Sequence, residues 1–418
     1  MILGIVGAFG DSNFGDYAML VNNIYSIEPS QSIIFTYNEA LLDNLTKTYL
    51  KGYMLSSVNV KTSYVYKAAY GNSYDVQYDD EMLIPTQVLN YICNEQEVRN
   101  AIQKISALFV CGGGYFNHVW NARHRKSKLL SMLGVILIAR EEHKKIVFGG
   151  NTFGPFDASA EFFKSILLPL QNVIYAVRDD VYSVANLRQL GIGNDITLLP
   201  DDLYFLHNQF HKYIPHIEIS LPERYMIMEL YSPLDEIESK YSEIESFIYS
   251  MEFKYGLKVV FVSLDKGFGG EEQGARLESI HKLMIWHFGN QPYRKVEDVL
   301  YIVRRAQFVL CQRYHLFLFA IANNIPAYQL LKDVCGDKRY YYAKSGGLLK
   351  QVFQNQIYRE SLFFAHDIVD GFREIIEHYQ TLIYEQKNLF NQKKRDAEIE
   401  MKQNRLDYIR THINYVAS

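Results

Sequence analysis

The fold is decided by the stretch from residue 306 to residue 329, which reads AQFVLCQRYHLFLFAIANNIPAYQ. The apolar run 308–311 predicts a buried strand, the polar break 312–315 ends it, and the apolar run 316–322 predicts a helix. A second strand is expected to begin at Ile325. A strand, a helix and another strand in this order are typical of an α/β protein with a parallel sheet.

The polar break carries the chemistry of this stretch. In an open α/β sheet, ligands lie outside the carboxyl ends of the strands. Arg313 and His315 follow such an end and precede a helix N-terminus, which favours anions. A guanidinium and an imidazole side by side can hold an anion and move a proton. Alternatively, Arg313 forms a surface ion pair and His315 only starts the helix, because spacing alone proves no functional site.

The composition excludes several classes of protein. The 418 residues are enough for two domains, and the hydrophobic content of 48% supports a large core. A net charge of −4 predicts no affinity for nucleic acid. No segment reaches the ~18 consecutive apolar residues of a membrane span, and residues 1–8 resemble a first strand more than a signal peptide. We therefore expect a cytoplasmic protein.

The cysteines agree with that expectation. Cys111 and Cys311 end apolar runs, which predicts buried thiols in a reducing compartment. The four cysteines lack the paired spacing of a zinc site, so no metal is expected.

Three strands of the first half are expected to end in glycine-rich segments. The strand 2–6 runs into GAFGDSNFGD (7–16), a second into CGGGYFN (111–117) and a third into GGNTFGPF (149–156). Glycine lets a backbone approach a ligand closely, so three such ends indicate one shared crevice. Neither G-x-G-x-x-G nor a P-loop pattern is present. The alternative is plain tight turns, with Asp16 acting only as a helix cap.

Three charged residues follow further strand ends. Arg178 is expected to point into the same crevice, or to pair with Asp179 or Asp180. Asp201 is either an acid/base or a helix cap, and Lys332 is either an anion contact or a surface lysine.

The domain organisation follows from composition along the chain. The polar, proline-broken segment 208–224 reads as a linker, and strands and helices then alternate again, with a helix predicted over 276–287. We therefore predict domains at 1–207 and 208–360. The helix-forming tail 361–418 has a thin apolar stripe. It either packs back across the first domain or mediates self-association.

The ordered set of motifs resembles the polysaccharide pyruvyl transferase family. The resemblance rests on Asn-x-Gly-Asp at Asn13–Asp16, the triplet Gly112–Gly114, Gly154-Pro155, Val177-Arg178-Asp179, Pro200-Asp201, Arg313-x-His315 and Lys332. It covers roughly residues 2–332. The chain departs from the family pattern at Asp11 and Asn324, where glycine is usual.

This resemblance implies a GT-B-like architecture, with two Rossmann-like domains facing a cleft. The N-terminal domain would be the acceptor side and the C-terminal domain the donor side. The resemblance also implies transfer of the pyruvyl group of phosphoenolpyruvate to a sugar, as a ketal such as 4,6-pyruvylated galactose. The acceptor would be a bacterial exopolysaccharide or capsule precursor. If it is linked to polyprenyl diphosphate, it would bring the protein to the inner membrane face. No cofactor is implied beyond the donor substrate.

The resemblance also assigns roles to residues. His315, Asp16 and Asp201 are expected to be catalytic, with His315 the best candidate for proton transfer. The expected substrate-binding residues are Arg178, Arg313, Lys332, Asn13, Gly15, Gly113, Gly114 and Asn117. The three cations suit a donor that carries both a carboxylate and a phosphate.

Two other functions stay open at this stage. A GT-B glycosyltransferase that uses a nucleotide sugar would need the same crevice and the same basic groups. A non-catalytic glycan-binding or assembly protein would use the tail as an interaction helix.

Overall fold

The computed structural model describes residues 1–64, 83–193, 195–266, 270–332, 337–354, 358–392 and 394–413. They form two α/β lobes, each built on one parallel sheet, followed by two long helices. The predicted α/β class and the two-lobed arrangement are therefore confirmed.

The first lobe contains a nine-stranded sheet in which every pair of strands is parallel. Its strands are β1 (Ile2–Val6), β2 (Gln31–Thr36), β3 (Leu55–Asn59), β4 (Ala107–Val110), β5 (Gly113–Phe116), β6 (Lys145–Phe148), β7 (Asn151–Phe153), β8 (Val173–Val177) and β9 (Ile196–Leu198). Its helices are α1 (Phe14–Ile27), α2 (Glu39–Thr48), α3 (Pro85–Asn90), α4 (Glu95–Lys104), α5 (Arg123–Glu141), α6 (Ala160–Leu167) and α7 (Ser183–Gln189). The strand order is β3-β2-β1-β4-β6-β8-β7-β5, with β9 against β8. The sheet thus changes its direction of growth between β1 and β4.

The second lobe contains a six-stranded parallel sheet in the order β12-β11-β10-β13-β14-β15, which is the strand order of the Rossmann fold. Its strands are β10 (Tyr225–Glu229), β11 (Lys258–Val262), β12 (Leu283–Trp286), β13 (Phe308–Cys311), β14 (Ala327–Leu330) and β15 (Phe364–Ala365). Its helices are α8 (Leu234–Ser239), α9 (Tyr241–Tyr255), α10 (Glu271–Arg276), α11 (Val296–Arg305), α12 (Tyr314–Ala322) and α13 (Arg339–Phe353). The sheet extends to Ala365, past the boundary at 360 that the sequence predicted.

The central strands explain why the chain folds this way. Every residue of β10 and of β13 is buried, because helices cover both faces of the sheet. Strands buried on both faces read as continuous apolar runs, and that is the pattern of YMIM and FVLC.

The tail forms α14 (Ile368–Gln392) and α15 (Lys394–His412). Helix α15 returns to the first lobe, where Arg405 Nη1 donates to Asp202 Oδ1 at 2.6 Å and Tyr408 Oη donates to the Phe148 carbonyl at 2.6 Å. Both members of the Arg405–Asp202 pair are buried. The structure therefore shows the first of the two predicted arrangements, packing across the first domain. Self-association stays a prediction.

Two predicted elements differ from the structure. Residues 276–287 hold the end of α10 and the strand β12, so the predicted single helix is wrong. Helix α1 begins at Phe14, which makes Asn13 the N-cap residue and places Asp16 in the first turn.

Two of the cysteines are buried, as the apolar runs that they end predicted. Cys111 and Cys311 are buried, and Cys335 lies outside the described residues. In the part of the chain that the structure describes, no helix is both long and apolar enough to cross a lipid bilayer.

Candidate active site

A cavity of about 140 Å³ lies between the carboxyl ends of the two sheets. Loops after β1 and β4 face loops after β10 and β13, the positions where each strand order reverses and where open sheets bind ligands. Its lining includes Asp11, Asn13, Gly15, Asp16, Gly113, Gly114, Trp120, Arg125, Lys128, Arg178, Tyr231, Asp265, Arg313, Tyr314, His315, Tyr340, Tyr341 and Lys344. Most of the residues singled out from the sequence therefore meet in one place.

The two lobes touch at Gly15 and His315. A Cβ placed on Gly15 would lie 1.8 Å from His315 Nδ1, so the missing side chain gives the imidazole its space. His315 Nε2 is buried and has no hydrogen-bond partner among the described residues. Burial lowers the pKa of His315 well below its usual value, and the charges of Arg178, Lys344 and Arg313 lower it further. The ring is therefore neutral at neutral pH and can accept a proton.

Asp16 lies in the first turn of α1, on the same side of the cavity. Burial raises its pKa from 3.8 to about 7, and the nearby Asp11 carboxylate adds to the increase. A hydrogen bond from Asn13 Nδ2 to Asp16 Oδ2, 2.8 Å long, acts in the opposite direction. A carboxyl group with a pKa near neutrality can both give and take a proton.

Arg178 is held by a buried ion pair with Asp201. Arg178 is 2% exposed, its Nη1 donates to Asp201 Oδ2, and its Nε donates to Thr152 Oγ1 at 2.9 Å. Burial lowers the pKa of Arg178, but the charge and the hydrogen bond of Asp201 outweigh this and raise it overall. The guanidinium also lies 4.8 Å from the ring centroid of Tyr314 in the other lobe.

The three aspartates Asp179, Asp180 and Asp201 have different partners in the structure. Asp179 accepts hydrogen bonds from the backbone nitrogens of Tyr182 and Ser183, both at 3.0 Å, and so caps α7. Asp180 pairs with Lys350 at 2.6 Å. Asp201 does not line the cavity but lies behind Arg178. Its place in the structure is that of a residue that orients the guanidinium.

Arg313 is held by carboxylates in a similar way. Its Nε lies 3.3 Å from Glu229 Oε1, at the end of β10, and its Nη2 lies 3.4 Å from Asp265 Oδ2. Glu229 Oε2 also accepts from the backbone nitrogens of Gln312 and Arg313, at 3.0 and 2.9 Å. Glu229 thereby fixes both the start of α12 and the position of the Arg313 guanidinium. A weak bond from Arg313 Nη1 to Asn13 Oδ1, 3.4 Å long, reaches the other lobe.

Lys332 and Asn117 are not part of the cavity lining. The Nζ of Lys332 lies 4.2 Å from the ring centroid of Tyr231 and donates to the Tyr231 carbonyl at 3.4 Å. Burial, and then the charge of Arg313, lower the pKa of Lys332 to about 7. Asn117 is buried and donates to the Gly114 carbonyl at 2.9 Å. It therefore shapes the loop that presents Gly113 and Gly114.

Several residues of the cavity were missed by the sequence analysis. Helix α13 contributes Tyr340, Tyr341 and Lys344, and helix α5 contributes Arg125 and Lys128. They lie inside helices rather than at strand ends, so strand-end reasoning does not find them. The run of three tyrosines at 340–342 was a visible signal of an aromatic wall.

A group of potential metal ligands lies elsewhere between the lobes. Atoms of His118, Asp157 and Asp337 lie within 4.8 Å of one another. Arg339 Nη2 binds Asp157 at 2.9 Å and Asp337 at 2.7 Å, and His118 Nδ1 donates to the Pro155 carbonyl at 2.7 Å. A guanidinium already compensates both carboxylates, so the group reads as a contact between the lobes.

Comparison with known proteins agrees with the fold and the motifs. A sequence model described as polysaccharide pyruvyl transferase matches residues 13–329, and comparison with curated proteins found no match. The chain resembles UDP-GlcNAc 2-epimerase of Methanocaldococcus jannaschii in complex with UDP-GlcNAc and UDP (TM-score 0.54, 12% identity, 97% of this chain and 100% of that one). It also resembles UDP-GlcNAc 2-epimerase of Neisseria meningitidis bound to UDP-GlcNAc (TM-score 0.54, 10% identity, 97% of this chain and 99% of that one). A third similar structure is a glycosyltransferase of Rickettsia africae (TM-score 0.51, 13% identity, 99% of this chain and 97% of that one). At these identities the structural matches show the fold alone, which is of the GT-B type, as predicted.

Proposed function

The chain belongs to the polysaccharide pyruvyl transferase family, and we propose that it moves the pyruvyl group of phosphoenolpyruvate to a sugar of a polysaccharide precursor. The observation that supports this most is one cavity lined by guanidinium groups from both lobes, a neutral imidazole and a carboxyl group with a pKa near 7. A small donor with two anionic groups matches that set of side chains.

The donor would be bound between the lobes. Arg178 comes from the first lobe and Arg313 from the second, and each is oriented by a buried carboxylate, Asp201 or Glu229. Guanidinium groups fixed in this way suit the planar geometry of a carboxylate or the oxygens of a phosphate. Closure of both lobes on the donor would exclude water, which limits hydrolysis.

The reaction needs one proton donor and one proton acceptor. A proton added to C3 of the donor makes the methyl group and leaves positive charge at C2, which a sugar hydroxyl attacks. The bond between C2 and the phosphate oxygen then breaks, and a second hydroxyl closes the ketal. The two hydroxyl protons balance the one gained by C3 and the one carried by the phosphate. We assign the donation to Asp16 and the acceptance from the hydroxyl to His315, because their pKa values favour these states.

The acceptor is part of the proposal. The aromatic wall of Trp120, Tyr340 and Tyr341 suits stacking against a sugar ring. Galactose pyruvylated as the 4,6-ketal, in a lipid-linked exopolysaccharide or capsule precursor, is the acceptor we propose. A lipid-linked acceptor would bring the protein to the membrane surface as a peripheral protein.

A nucleotide-sugar glycosyltransferase is the second candidate. It is favoured by the GT-B fold, which this chain shares with structures solved with UDP-GlcNAc. The two candidates differ in the ligand that the cavity binds: a nucleoside diphosphate in one case and phosphoenolpyruvate in the other.

The test combines turnover with direct binding. Purified protein is incubated with phosphoenolpyruvate and a panel of free and lipid-linked galactosides, and phosphate release is compared with ketal formation by mass spectrometry. His315→Ala should lose activity without unfolding, and His378→Ala, an exposed residue of α14, should keep it. No turnover across the panel, together with calorimetric binding of UDP but not of phosphoenolpyruvate, would favour the second candidate.

A further inference from the structure

Lys344 is a buried lysine in the wall of the cavity. Lys344 is 7% exposed, and its Nζ lies 3.5 Å from the ring centroid of Tyr340. A Cβ placed on Gly114 would lie 2.9 Å from this nitrogen, so the ammonium rests against the glycine-rich loop of the other lobe. Tyr340 Oη also reaches that loop, donating to the Gly114 carbonyl at 3.1 Å.

The charges around the cavity are compensated unevenly. Lys128 pairs with Asp11 at 2.7 Å, Arg178 with Asp201, and Arg313 with Glu229 and Asp265. Within the described ranges, no carboxylate forms an ion pair with Lys344 or with Arg125. Arg125 is partly exposed to solvent, whereas Lys344 is buried.

A buried ammonium without a carboxylate in direct ion-pair contact is costly. Burial lowers the pKa of Lys344, and Arg178 lowers it further, whereas the Tyr340 hydroxyl, through its charge and a hydrogen bond, and the charge of Asp16 raise it. A cation–π contact returns less than the desolvation of a charge takes. An anion that enters the cavity would supply the missing partner.

The resemblance to the family assigned an anion contact to Lys332, but that side chain packs on Tyr231 outside the cavity lining. Resting on the proposed function, we infer that Lys344, rather than Lys332, provides the ammonium group that binds one of the two anionic groups of the donor. Lys344 approaches from α13 in the second lobe, and its ammonium and the Arg178 guanidinium both lie near Gly114. The donor site therefore has a third cation, carried by a helix rather than by a strand end.

The test is calorimetric binding to the full chain. Phosphoenolpyruvate and inorganic phosphate are titrated separately into wild type, Lys344→Met, Lys332→Met and Lys350→Met. Methionine keeps the length of the side chain and removes the charge. Lys350 is the matched control because it lies on the same helix and is half exposed, away from the cavity. Thermal unfolding is measured for each variant.

We expect Lys344→Met to weaken binding of phosphoenolpyruvate at least tenfold, the scale of one charged hydrogen bond, with Lys350→Met unchanged. The melting temperature of Lys344→Met should equal or exceed that of wild type, because a buried charge is removed. Weakened binding of both ligands assigns Lys344 to the phosphate, and weakened binding of phosphoenolpyruvate alone assigns it to the carboxylate.

Three results would overturn the inference. The first is wild-type affinity of Lys344→Met for phosphoenolpyruvate. The second is a larger loss in Lys332→Met than in Lys344→Met. The third is failure of wild type itself to bind phosphoenolpyruvate, which would overturn the proposed function as well and so differs from the other two.

Discussion

A single methyl group at Gly15 is expected to remove activity without unfolding the protein. A Cβ there would lie 1.8 Å from His315 Nδ1 and 1.9 Å from Cε1, whereas ordinary van der Waals contact begins at 3.4 Å. The ring must therefore move by about 1.6 Å (3.4 − 1.8) in Gly15→Ala. Misplacement of a catalytic group by 1 Å costs on the order of 100-fold, and general acid–base catalysis is worth roughly 10²–10⁴-fold. We expect kcat to fall by roughly 10²–10³-fold.

Stability should respond differently from activity. Gly15 has a helical place in the first turn of α1, where alanine is preferred to glycine by up to about 1 kcal/mol. His315 Nε2 has no hydrogen-bond partner among the described residues, so moving the ring breaks no bond at that atom. The melting temperature of Gly15→Ala should therefore stay close to that of wild type.

The assay is steady-state phosphate release with thermal unfolding, applied to Gly15→Ala, His315→Ala and the double variant. Gly193→Ala is the matched control, because a Cβ there meets nothing within 4 Å. If Gly15→Ala acts by displacing the imidazole, the double variant should be no slower than His315→Ala. Wild-type kcat in Gly15→Ala, or losses that multiply in the double variant, would refute the reasoning.

Three further predictions concern buried charges. Folding raises the pKa of Asp16 from 3.8 to about 7, so between these pH values the folded chain keeps a proton that the unfolded chain releases. The free energy of unfolding that Asp16 contributes therefore falls as the pH rises from about 4 to 7. Asp16→Asn should thus be more stable than wild type at pH 8, by at most about 4 kcal/mol, with no such gain at pH 3 in urea titrations. It should also lose the limb of the pH–rate profile near pH 7. Asp201→Ala leaves Arg178 buried without its carboxylate and should lower the free energy of unfolding by about 3–5 kcal/mol, a loss that Arg178→Met in the same chain should largely reverse. Arg405→Ala should cost a similar amount, about 3–5 kcal/mol, because Asp202 then stays buried without its cation, and a change within 0.5 kcal/mol would contradict the role given to α15.

The sequence predicted the strands that read as continuous apolar runs. The bounds of β1 and β13 agree with the predicted runs 2–6 and 308–311, because each run is apolar and is followed by a glycine or a polar residue, Gly7 or Gln312. Strands β5 and β7 were missed, since each follows a break of two residues and has no apolar run of its own. The four residues of β12 were assigned to a helix, because periodicity cannot separate so short an apolar run from a helical one.

The site residues that were predicted follow strand ends, whereas those that were missed lie inside helices. Asp16, Arg178 and Arg313 follow strand ends, and parallel strands bring their carboxyl ends to one edge whatever the details of packing. Lys344 reaches the site by another route. Lys344 lies in the middle of α13, and its place depends on how this helix packs against the first lobe, which no local pattern records.

The pattern of charge compensation assigns different tasks to the cations of the cavity. Among the described residues, five cationic side chains and three carboxylates line the cavity. Two further carboxylates, Asp201 and Glu229, lie behind Arg178 and Arg313. Positive and negative charges are therefore equal in number while Asp16 is ionised. The guanidinium groups of Arg178 and Arg313 therefore serve to orient a bound anion more than to add net positive charge to the site. The pKa of Asp16 near 7 leaves it partly protonated at neutral pH, and its protonation gives the site a net positive charge. A bound anion raises the pKa of a neighbouring carboxyl group further, so the donor itself would keep Asp16 protonated until C3 takes its proton.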